Sequence, residues 1–371
     1  MTISDIEIKN FRNYEDETLQ FCPEINVLYG DNAQGKTNIL EAIYICVFGK
    51  SFRSVKDNEI ISYGKNEYRI TLNLKYGNNS NSIRVIYNRE SNKKSIYIND
   101  IPIKKYGELI GYVNCVLFSP EDILMVKEGP SLRRKKLNLL ISQLKPTYLY
   151  NLQQYNKVIS QKNALLKNIK NGKSRKEDLI IWNERIAEIS LKVIKERMKY
   201  VGRLSNIAKE KHLVISENKE DLDIEYIPFL SFNEKLTDED NINIFLKEIE
   251  KKTDEEIIRG ISLVGIHKDD VNFIINNKSL KKYGSQGQQR SSVLSYKTAE
   301  IEIIKEDTGK YPIFLLDDVM SELDPKRREM MMNELKSMQA VITCTEKEIV
   351  KEKRQAKFQE IIAGKLQKRK E

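Results

Sequence analysis

Histidine and cysteine are scarce in this 371-residue chain. His212 and His267 are the only histidines, and Cys22, Cys46, Cys115 and Cys344 the only cysteines. Two histidines exclude a histidine-rich metal site, and no two cysteines stand at the C-x-x-C spacing of a zinc or redox motif. Three of the four cysteines fall in apolar stretches and read as small core residues of a protein kept in a reducing compartment. No run approaches the ~20 apolar residues of a membrane span. The opening Met1-Thr2-Ile3-Ser4-Asp5-Ile6-Glu7-Ile8 has neither the basic nor the apolar region of a signal peptide. A soluble, cytoplasmic protein with no membrane partner is expected.

What is abundant is charge. Lys and Arg number 63 against 54 Asp and Glu, a net charge of +9. That balance favours a polyanionic partner such as nucleic acid. The alternative is a lysine-rich composition without binding consequence, since the lysines are spread widely and no block of six occurs. The length exceeds what one hydrophobic core usually serves, so two lobes are expected.

Gly30-Asp31-Asn32-Ala33-Gln34-Gly35-Lys36-Thr37 has the full G-x-x-x-x-G-K-[ST] spacing of a phosphate-binding loop. It follows the apolar run Ile25–Tyr29 and precedes the helical run Asn38–Ile43, the order such a loop requires. The glycines let backbone N–H groups wrap phosphate oxygens. Lys36 then neutralises the outer phosphates, the Thr37 hydroxyl ligates magnesium, and the helix adds its positive dipole end. ATP and Mg2+ are the expected cofactors.

From residue 1 to about 125 the pattern is α/β with many strands. Tyr68–Leu74 and Ser82–Tyr87 alternate apolar with polar residues around a turn at 76–81, and Ser95–Ile98 and Val113–Phe118 follow. From about 130 to 215 the spacing is helical. Tyr148, Leu152, Tyr155 and Ile159 form one stripe, and Ala187, Leu191, Ile194, Met198 and Val201 another. Pro146 breaks the first stretch, and Asn171-Gly172-Lys173-Ser174 turns between two antiparallel helices. Residues 216–260 are too charged to assign. After 261, Asp270–Ile275, Ile313–Leu316 and Ala340–Thr343 read as strands, and the tail from Lys347 as a basic amphipathic helix. This divides the chain into 1–125, 126–260 and 261–371.

The strand Ile313–Leu316 ends in Asp317-Asp318. Asp317 suits magnesium and Asp318 an attacking water. Upstream, Ser285-Gln286-Gly287-Gln288-Gln289-Arg290 opens another helix, and its Ser and Gly offer a second anion site. The order of glycine loop, long insertion, S-x-G-Q, acidic pair and Ser321-Glu322-Leu323-Asp324 resembles the ATP-binding-cassette superfamily. Further segments stand in order around these motifs: Ile8-Lys9-Asn10-Phe11-Arg12-Asn13-Tyr14 and Lys50-Ser51-Phe52-Arg53 near the start, then Phe118-Ser119-Pro120-Glu121-Asp122, Gly129-Pro130-Ser131-Leu132-Arg133-Arg134 and Gly265-Ile266-His267-Lys268-Asp269-Asp270. Together with the loop, the S-x-G-Q segment and the acidic pair, they resemble the RecF family of bacterial recombination mediators.

The resemblance implies an α/β fold, an ABC-type P-loop ATPase head with an inserted helical-hairpin lobe. Residues 1–125 and 261–371 would be the two halves of the head. It implies a head-to-tail homodimer on ATP binding, in which Ser285, Gly287 and Gln288 face the nucleotide held by the other subunit. Lys36, Asp318 and Ser285 would be catalytic, and Thr37 and Asp317 would hold the metal. Arg12, close before the loop strand, is a nucleotide-side candidate. It further implies weak ATP hydrolysis, binding to single-strand/double-strand junctions or gapped duplex DNA, and cooperation with RecR and RecO in loading RecA. Arg133, Arg134, Lys135 and Lys136 are the candidate DNA contacts, or else a solvated helix face. His267 is either a catalytic-region residue or a satisfied structural histidine. Three departures stand out: Asp318 where transporters carry glutamate, Thr343-Cys344-Thr345 where many cassettes place a switch histidine, and Ile266 and Lys268 within G-P-H-R-D-D. The competing reading, the nucleotide-binding motor of an ABC transporter, fits the long hairpin and the positive charge less well.

Overall fold

Alternating strands and mainly apolar strands sort into two different six-stranded sheets, and a third sheet of three strands stands apart from both. The computed structural model describes residues 1–53, 55–346 and 356–367. The chain divides into one unit of Met1–Leu124 with Lys297–Glu371 and a second of Met125–Tyr296.

In the first unit, β1 (Thr2–Phe11), β2 (Tyr14–Gln20) and β3 (Ile25–Tyr29) lead through the glycine loop to α1 (Lys36–Phe48). Then come β4 (Glu67–Tyr76), β5 (Asn79–Asn88), β6 (Lys93–Ile98), β7 (Ile101–Pro102) and β8 (Cys115–Phe118). The alternating strands make an antiparallel sheet in the order β2-β1-β4-β5-β6-β7. Its inward residues, among them Ile6, Ile8, Ile70, Leu72, Ile83 and Val85, are fully buried.

The second unit is mainly helical: α2 (Leu124–Lys127), α3 (Pro130–Leu144), α4 (Pro146–Lys170) and α5 (Ile180–Ile215). Pro146 has no N–H to continue α3 and pushes Lys145 to an extended conformation, φ −130° and ψ 95°, so a new helix begins at the proline. The apolar stripes of α4 and α5 pack on each other, burying Tyr148, Tyr155, Ala187, Leu191, Ile194 and Val201. β9 (Leu222–Ile227) and α6 (Asp238–Arg259) occupy the charged stretch that periodicity left unassigned. Thr237 caps α6 by accepting from the Asp240 N–H at 3.1 Å, and three acids fill its first turn. β10 (Asp270–Ile275) and β11 (Lys278–Ser279) join β9 in a three-stranded sheet, and α7 (Leu280–Tyr283) precedes α8 (Gln286–Thr308).

The first unit resumes with β12 (Ile313–Asp317), α9 (Val319–Glu322), α10 (Pro325–Glu334), β13 (Ala340–Cys344), β14 (Ala356–Ile362) and β15 (Lys365–Leu366). Every residue of β8, β12 and β13 is buried, as expected of strands covered on both faces. With β3 they form the second six-stranded sheet, ordered β15-β14-β3-β13-β12-β8. It is parallel apart from the terminal β14–β15 hairpin.

Three expectations change. The boundary after the helical lobe falls within α8 rather than at 260/261, because β10 pairs along its length with β9 and so belongs to the second unit. Residues 356–366, expected as helix, are a hairpin whose first strand extends the parallel sheet beside β3. The rest of that expected helix, 347–355 and 368–371, lies outside the described residues. Arg133 is not a free DNA-facing cation. It is buried and forks onto Asp270, Nε to Oδ1 at 2.7 Å and Nη2 to Oδ2 at 2.9 Å, while Nη1 donates to the carbonyls of Met125 and Glu128.

A polar centre ties the second unit together. Arg197, buried on α5, donates to Asp269 Oδ2 at 2.6 Å, to the Ile266 carbonyl at 2.9 Å and to Asn138 at 3.0 Å. Asp269 also accepts from the Phe229 N–H and the Tyr226 hydroxyl, and its carbonyl takes Arg134 Nη1 at 2.6 Å. His267 contacts the Tyr155 hydroxyl at 2.7 Å and the Ser262 carbonyl at 3.3 Å. Burial, outweighing the Ser262 bond, lowers its pKa to about 4. The Gly265–Asp270 motif is thus a packing centre, with Lys268 exposed at its rim.

Arg133→Ala is expected to lower the unfolding free energy by about 2–4 kcal/mol, because it leaves Asp270 uncompensated. Lys135→Ala should stay within about 0.5 kcal/mol. Urea unfolding of both variants checks this. His267 must charge on acidification, so its contribution to stability is present above its unfolded pKa and lost as pH falls from about 6.5 through about 4. A pH series of melting temperatures on the parent and His267→Gln should show the parent losing this extra increment in that window.

Candidate nucleotide site

The parallel sheet brings three strand ends to one edge. β13 lies between β3 and β12, with Asp317 opposite Thr343 and Cys344 opposite Tyr29. Ligands of such sheets bind beyond the C-terminal strand ends. The glycine loop leaves β3 at that edge.

The loop is tight enough that side chains are excluded at its ends. Gly30 (φ 140°) and Gly35 (φ 112°) both adopt conformations that L side chains rarely reach. A Cβ on Gly30 would stand 2.5 Å from the Ile361 carbonyl oxygen, and one on Gly35 2.7 Å from the Asn13 side chain. Between them run Asp31, Asn32, Ala33 and Gln34, with Ala33 at φ 63°. Lys36 is buried and donates to the carbonyls of Gly30 at 2.6 Å and Asp31 at 2.7 Å. That uses two of its three protons and leaves one for an anion. Burial lowers its pKa, against the opposing pull of Asp318 and other acids.

Beneath the loop, Thr37 Oγ1 donates to Asp317 Oδ1 at 2.7 Å across 280 residues of sequence. Thr343 contacts the same oxygen at 3.0 Å and accepts from the Asp318 N–H at 2.9 Å. Burial raises the pKa of Asp317, with the two threonine bonds opposing. Asp318 follows in the left-handed region at φ 53°, at the position before α9 and without a side-chain bond to the helix's N–H groups. It is half-buried, and its carboxylate takes the Ser321 hydroxyl at 3.2 Å. The positive φ turns the chain out of the strand at once, so Asp317 and Asp318 stand in different surroundings.

Arg12 is committed to Glu41 of α1. Nε and Nη2 fork onto the two carboxylate oxygens at 2.9 and 2.7 Å, Ser51 donates at 2.5 Å, and Arg53 stands 3.5 Å away. Glu41 is fully buried. Its neighbour Asn13 links the Gln34 carbonyl at 3.0 Å to Asn38 at 2.8 Å. Phe11 and Phe52 belong to the core. Arg12 therefore braces the base of the loop helix, at one remove from the loop.

Ser285, Gly287 and Gln288 lie in the second unit, at the start of α8. The Ser285 hydroxyl accepts from the Gln288 N–H at 3.2 Å, and the Gln288 side-chain oxygen from the Ser285 N–H at 2.9 Å. This reciprocal pair is a capping box, and it accounts for the Ser and the Gln of the S-x-G-Q segment. Ser285 nevertheless remains exposed. Among the other sequence-chosen residues, Arg134 is half-buried on the Asp269 carbonyl, Lys135 is exposed and Lys136 half-buried.

Four features escaped the sequence reading. In sequence, Thr343 only opens the Thr343-Cys344-Thr345 run where many cassettes place a switch histidine. Glu41 was signalled by a lone acid in the apolar run Ile39–Ile43. The β14–β15 turn places the Ala363 and Gly364 N–H groups on Gln34, at 2.6 and 2.9 Å. Glu220 accepts from Gln288 at 3.0 Å. The last two had no local signal.

These residues fit a nucleoside triphosphate with magnesium. The side-chain-free glycine positions let backbone donors approach phosphates closely. The Thr37 hydroxyl and Asp317 carboxylate are hard oxygen donors. Among the described residues no cluster of three or more acids, histidines or cysteines competes as a closed metal cage. One carboxylate and one hydroxyl suit a cation that keeps water and phosphate oxygens as its remaining ligands.

Comparison with known proteins agrees over nearly the whole chain. Residues 2–365 match the family described as RecF/RecN/SMC N terminal domain. The chain is 44% identical over 349 residues to the DNA replication and repair protein RecF of Acetivibrio thermocellus, covering 94% of each. It is 42% identical over 356 residues to that of Alkaliphilus oremlandii, covering 95% of each. Among solved structures it resembles the recombination mediator protein described as RecF-ATPrS in the RecFOR pathway, with a TM-score of 0.91, 35% identity, and 98% and 97% of the two chains covered. The fold is shared more distantly with an Smc head bound to the C-winged helix domain of ScpA, at TM-score 0.57 and 13% identity over 99% and 96% of the two chains.

Asp317→Asn is expected to raise the melting temperature of the metal-free protein at pH 7, because it removes a buried charge. A carboxyl whose pKa is raised on folding stabilises the folded state below its unfolded pKa and loses that contribution as pH rises. The advantage of the asparagine should therefore shrink as pH falls. Melting curves of both proteins from pH 7 downward, without magnesium, test this.

Proposed function

The chain belongs to the RecF family, and on that premise we propose that it is an ATP-dependent DNA-binding clamp of recombinational repair. It binds ATP with Mg2+ in the glycine-loop site, closes as a head-to-tail dimer around two nucleotides, and engages single-strand/double-strand junctions or gapped duplex. There it acts with RecR and RecO in loading RecA, in the cytoplasm at the nucleoid. The observation carrying this reading is the meeting of Thr37, Asp317 and Thr343 on one carboxylate oxygen directly beneath the loop.

The residues divide the work. Backbone donors from Gly30 to Gly35 bind the phosphates, and the third proton of Lys36 goes to the outer ones. Thr37 and Asp317 would hold a magnesium ion, which would neutralise charge on the transferring phosphoryl group. Asp318 orients or deprotonates the attacking water. Its side chain is one methylene shorter than the usual glutamate, which suits slow turnover in a switch rather than a motor. Ser285, Gly287 and Gln288 offer donors to the nucleotide of the facing subunit, so ATP adds contacts only when two copies close. DNA affinity comes from phosphate contacts, with Lys135 and Lys136 as candidates, and falls with salt.

Association state by light scattering and affinity for gapped duplex, each measured without nucleotide, with ADP and with ATP, test the proposal. ATP should raise both together, and Lys36→Arg should abolish that rise. An ATP-dependent dimer of unchanged mass in Lys36→Arg would refute the loop assignment. Ser285→Arg should block the dimer while single subunits still bind ATP, and loss of nucleotide binding itself would overturn the trans site. Asp318→Asn should bind ATP and stall, whereas normal steady-state hydrolysis would remove it as the base.

A further inference from the structure

A continuous polar chain runs from the Ser285–Gln288 turn to the end of the long helix α5. The Gln288 side-chain amide donates to Glu220 Oε1 at 3.0 Å. The other oxygen of Glu220 lies 3.1 Å from Nε2 of His212, a fully buried residue in the last turn of α5. His212 Nδ1 stands 3.1 Å from the Ser295 hydroxyl, which donates to the Ser291 carbonyl at 2.9 Å within α8. The chain thus leaves α8 at its first turn, crosses the end of α5 and returns to α8 two turns later.

Its middle member is held in place independently. The Glu220 N–H and carbonyl both meet the Ser216 hydroxyl, at 3.3 and 3.4 Å, in the turn that ends α5. Asp221, next in sequence, exchanges bonds with Asn276 at the β10–β11 turn, at 2.8 and 3.0 Å. Glu220 therefore presents two oxygens from a pinned backbone to two different elements. The Ser295 hydroxyl donates to the Ser291 carbonyl, so its oxygen faces His212 Nδ1 with lone pairs to spare.

We propose that Glu220 is a positioning residue, a strut that fixes the Ser285–Gln288 turn against the C-terminal end of α5, so that the turn and the arm helix move as one. Gln288 serves the capping box with its oxygen and the strut with its nitrogen, which leaves the exposed Ser285 hydroxyl held at a defined place. The functional consequence rests on the trans-site reading above. Arm movement would change how well the turn meets a facing nucleotide, and nucleotide contact would be felt at the end of the arm helix.

Glu220→Ala is expected to weaken the ATP-dependent dimer about tenfold and to speed amide exchange at Gln288. Glu220→Gln keeps an oxygen for Gln288 and a polar group facing His212, so it should dimerise within about twofold of the parent. The double variant Glu220→Ala/Gln288→Ala should be no weaker than the weaker single variant, since both cut one chain. A Glu220→Ala protein that dimerises like the parent, or effects that multiply in the double variant, would overturn the strut. The parent protein supplies a reading that needs no substitution. Hydrogen exchange with ATP should slow together at residues 285–289 and 213–218, and protection of the first segment alone would refute the linkage. Should Ser285→Arg leave the dimer intact, the trans site fails, while the exchange rates in Glu220→Ala still decide the strut.

Discussion

One hydroxyl–carboxylate contact, between Thr37 and Asp317, organises the nucleotide site. It joins the start of α1 to the tip of β12, and only the parallel register of β3, β13 and β12 makes it possible. A shift of either strand by one residue would exchange Asp317 for Leu316 or Asp318, and turn the wrong side chain toward the loop. Asp317 and Thr343 are buried and Thr37 half-buried, and burial raises the carboxyl's pKa against the two threonine bonds. Such tension is what a site gains from when a cation replaces lost water.

The second constraint is how the loop is propped. Arg12, Arg53 and Ser51 converge on Glu41, Asn13 spans Gln34 and Asn38, and the β14–β15 turn closes on Gln34. The props come from both near and far in sequence, from Ser51, ten residues past Glu41, to Ala363, 329 residues past Gln34. Rigid support of this kind matters where the ligand is held by backbone donors, whose directions no side-chain rotation can correct.

In the second unit the motif Gly265–Asp270 acts through packing. Asp269 and Asp270 gather Arg197, Arg133 and Arg134 from α5 and α3, which takes two of the four cations expected at DNA out of the solvent-facing set. A basic run on a helix has a fixed periodicity, so consecutive arginines and lysines necessarily point to different faces. Arg133 points inward and Lys135 outward for that reason.

Much of this was legible from the residues alone. The glycine loop, the acidic pair, the S-x-G-Q turn and the two helical stripes are local patterns, governed by backbone sterics and periodicity, and each formed where expected. What the chain order could not reveal was pairing at a distance. The assignment of β10 to the sheet of β9, the strand character of residues 356–366, the burial of Arg133 and the bond from Glu220 to Gln288 all depend on partners far away in sequence. A hydrogen bond or an ion pair is decided by which groups meet after folding, whereas a turn or a helix face is decided by its own few residues. Sequence therefore determined the chemistry this protein carries, and the tertiary structure decided which of its charges turn inward to hold the fold.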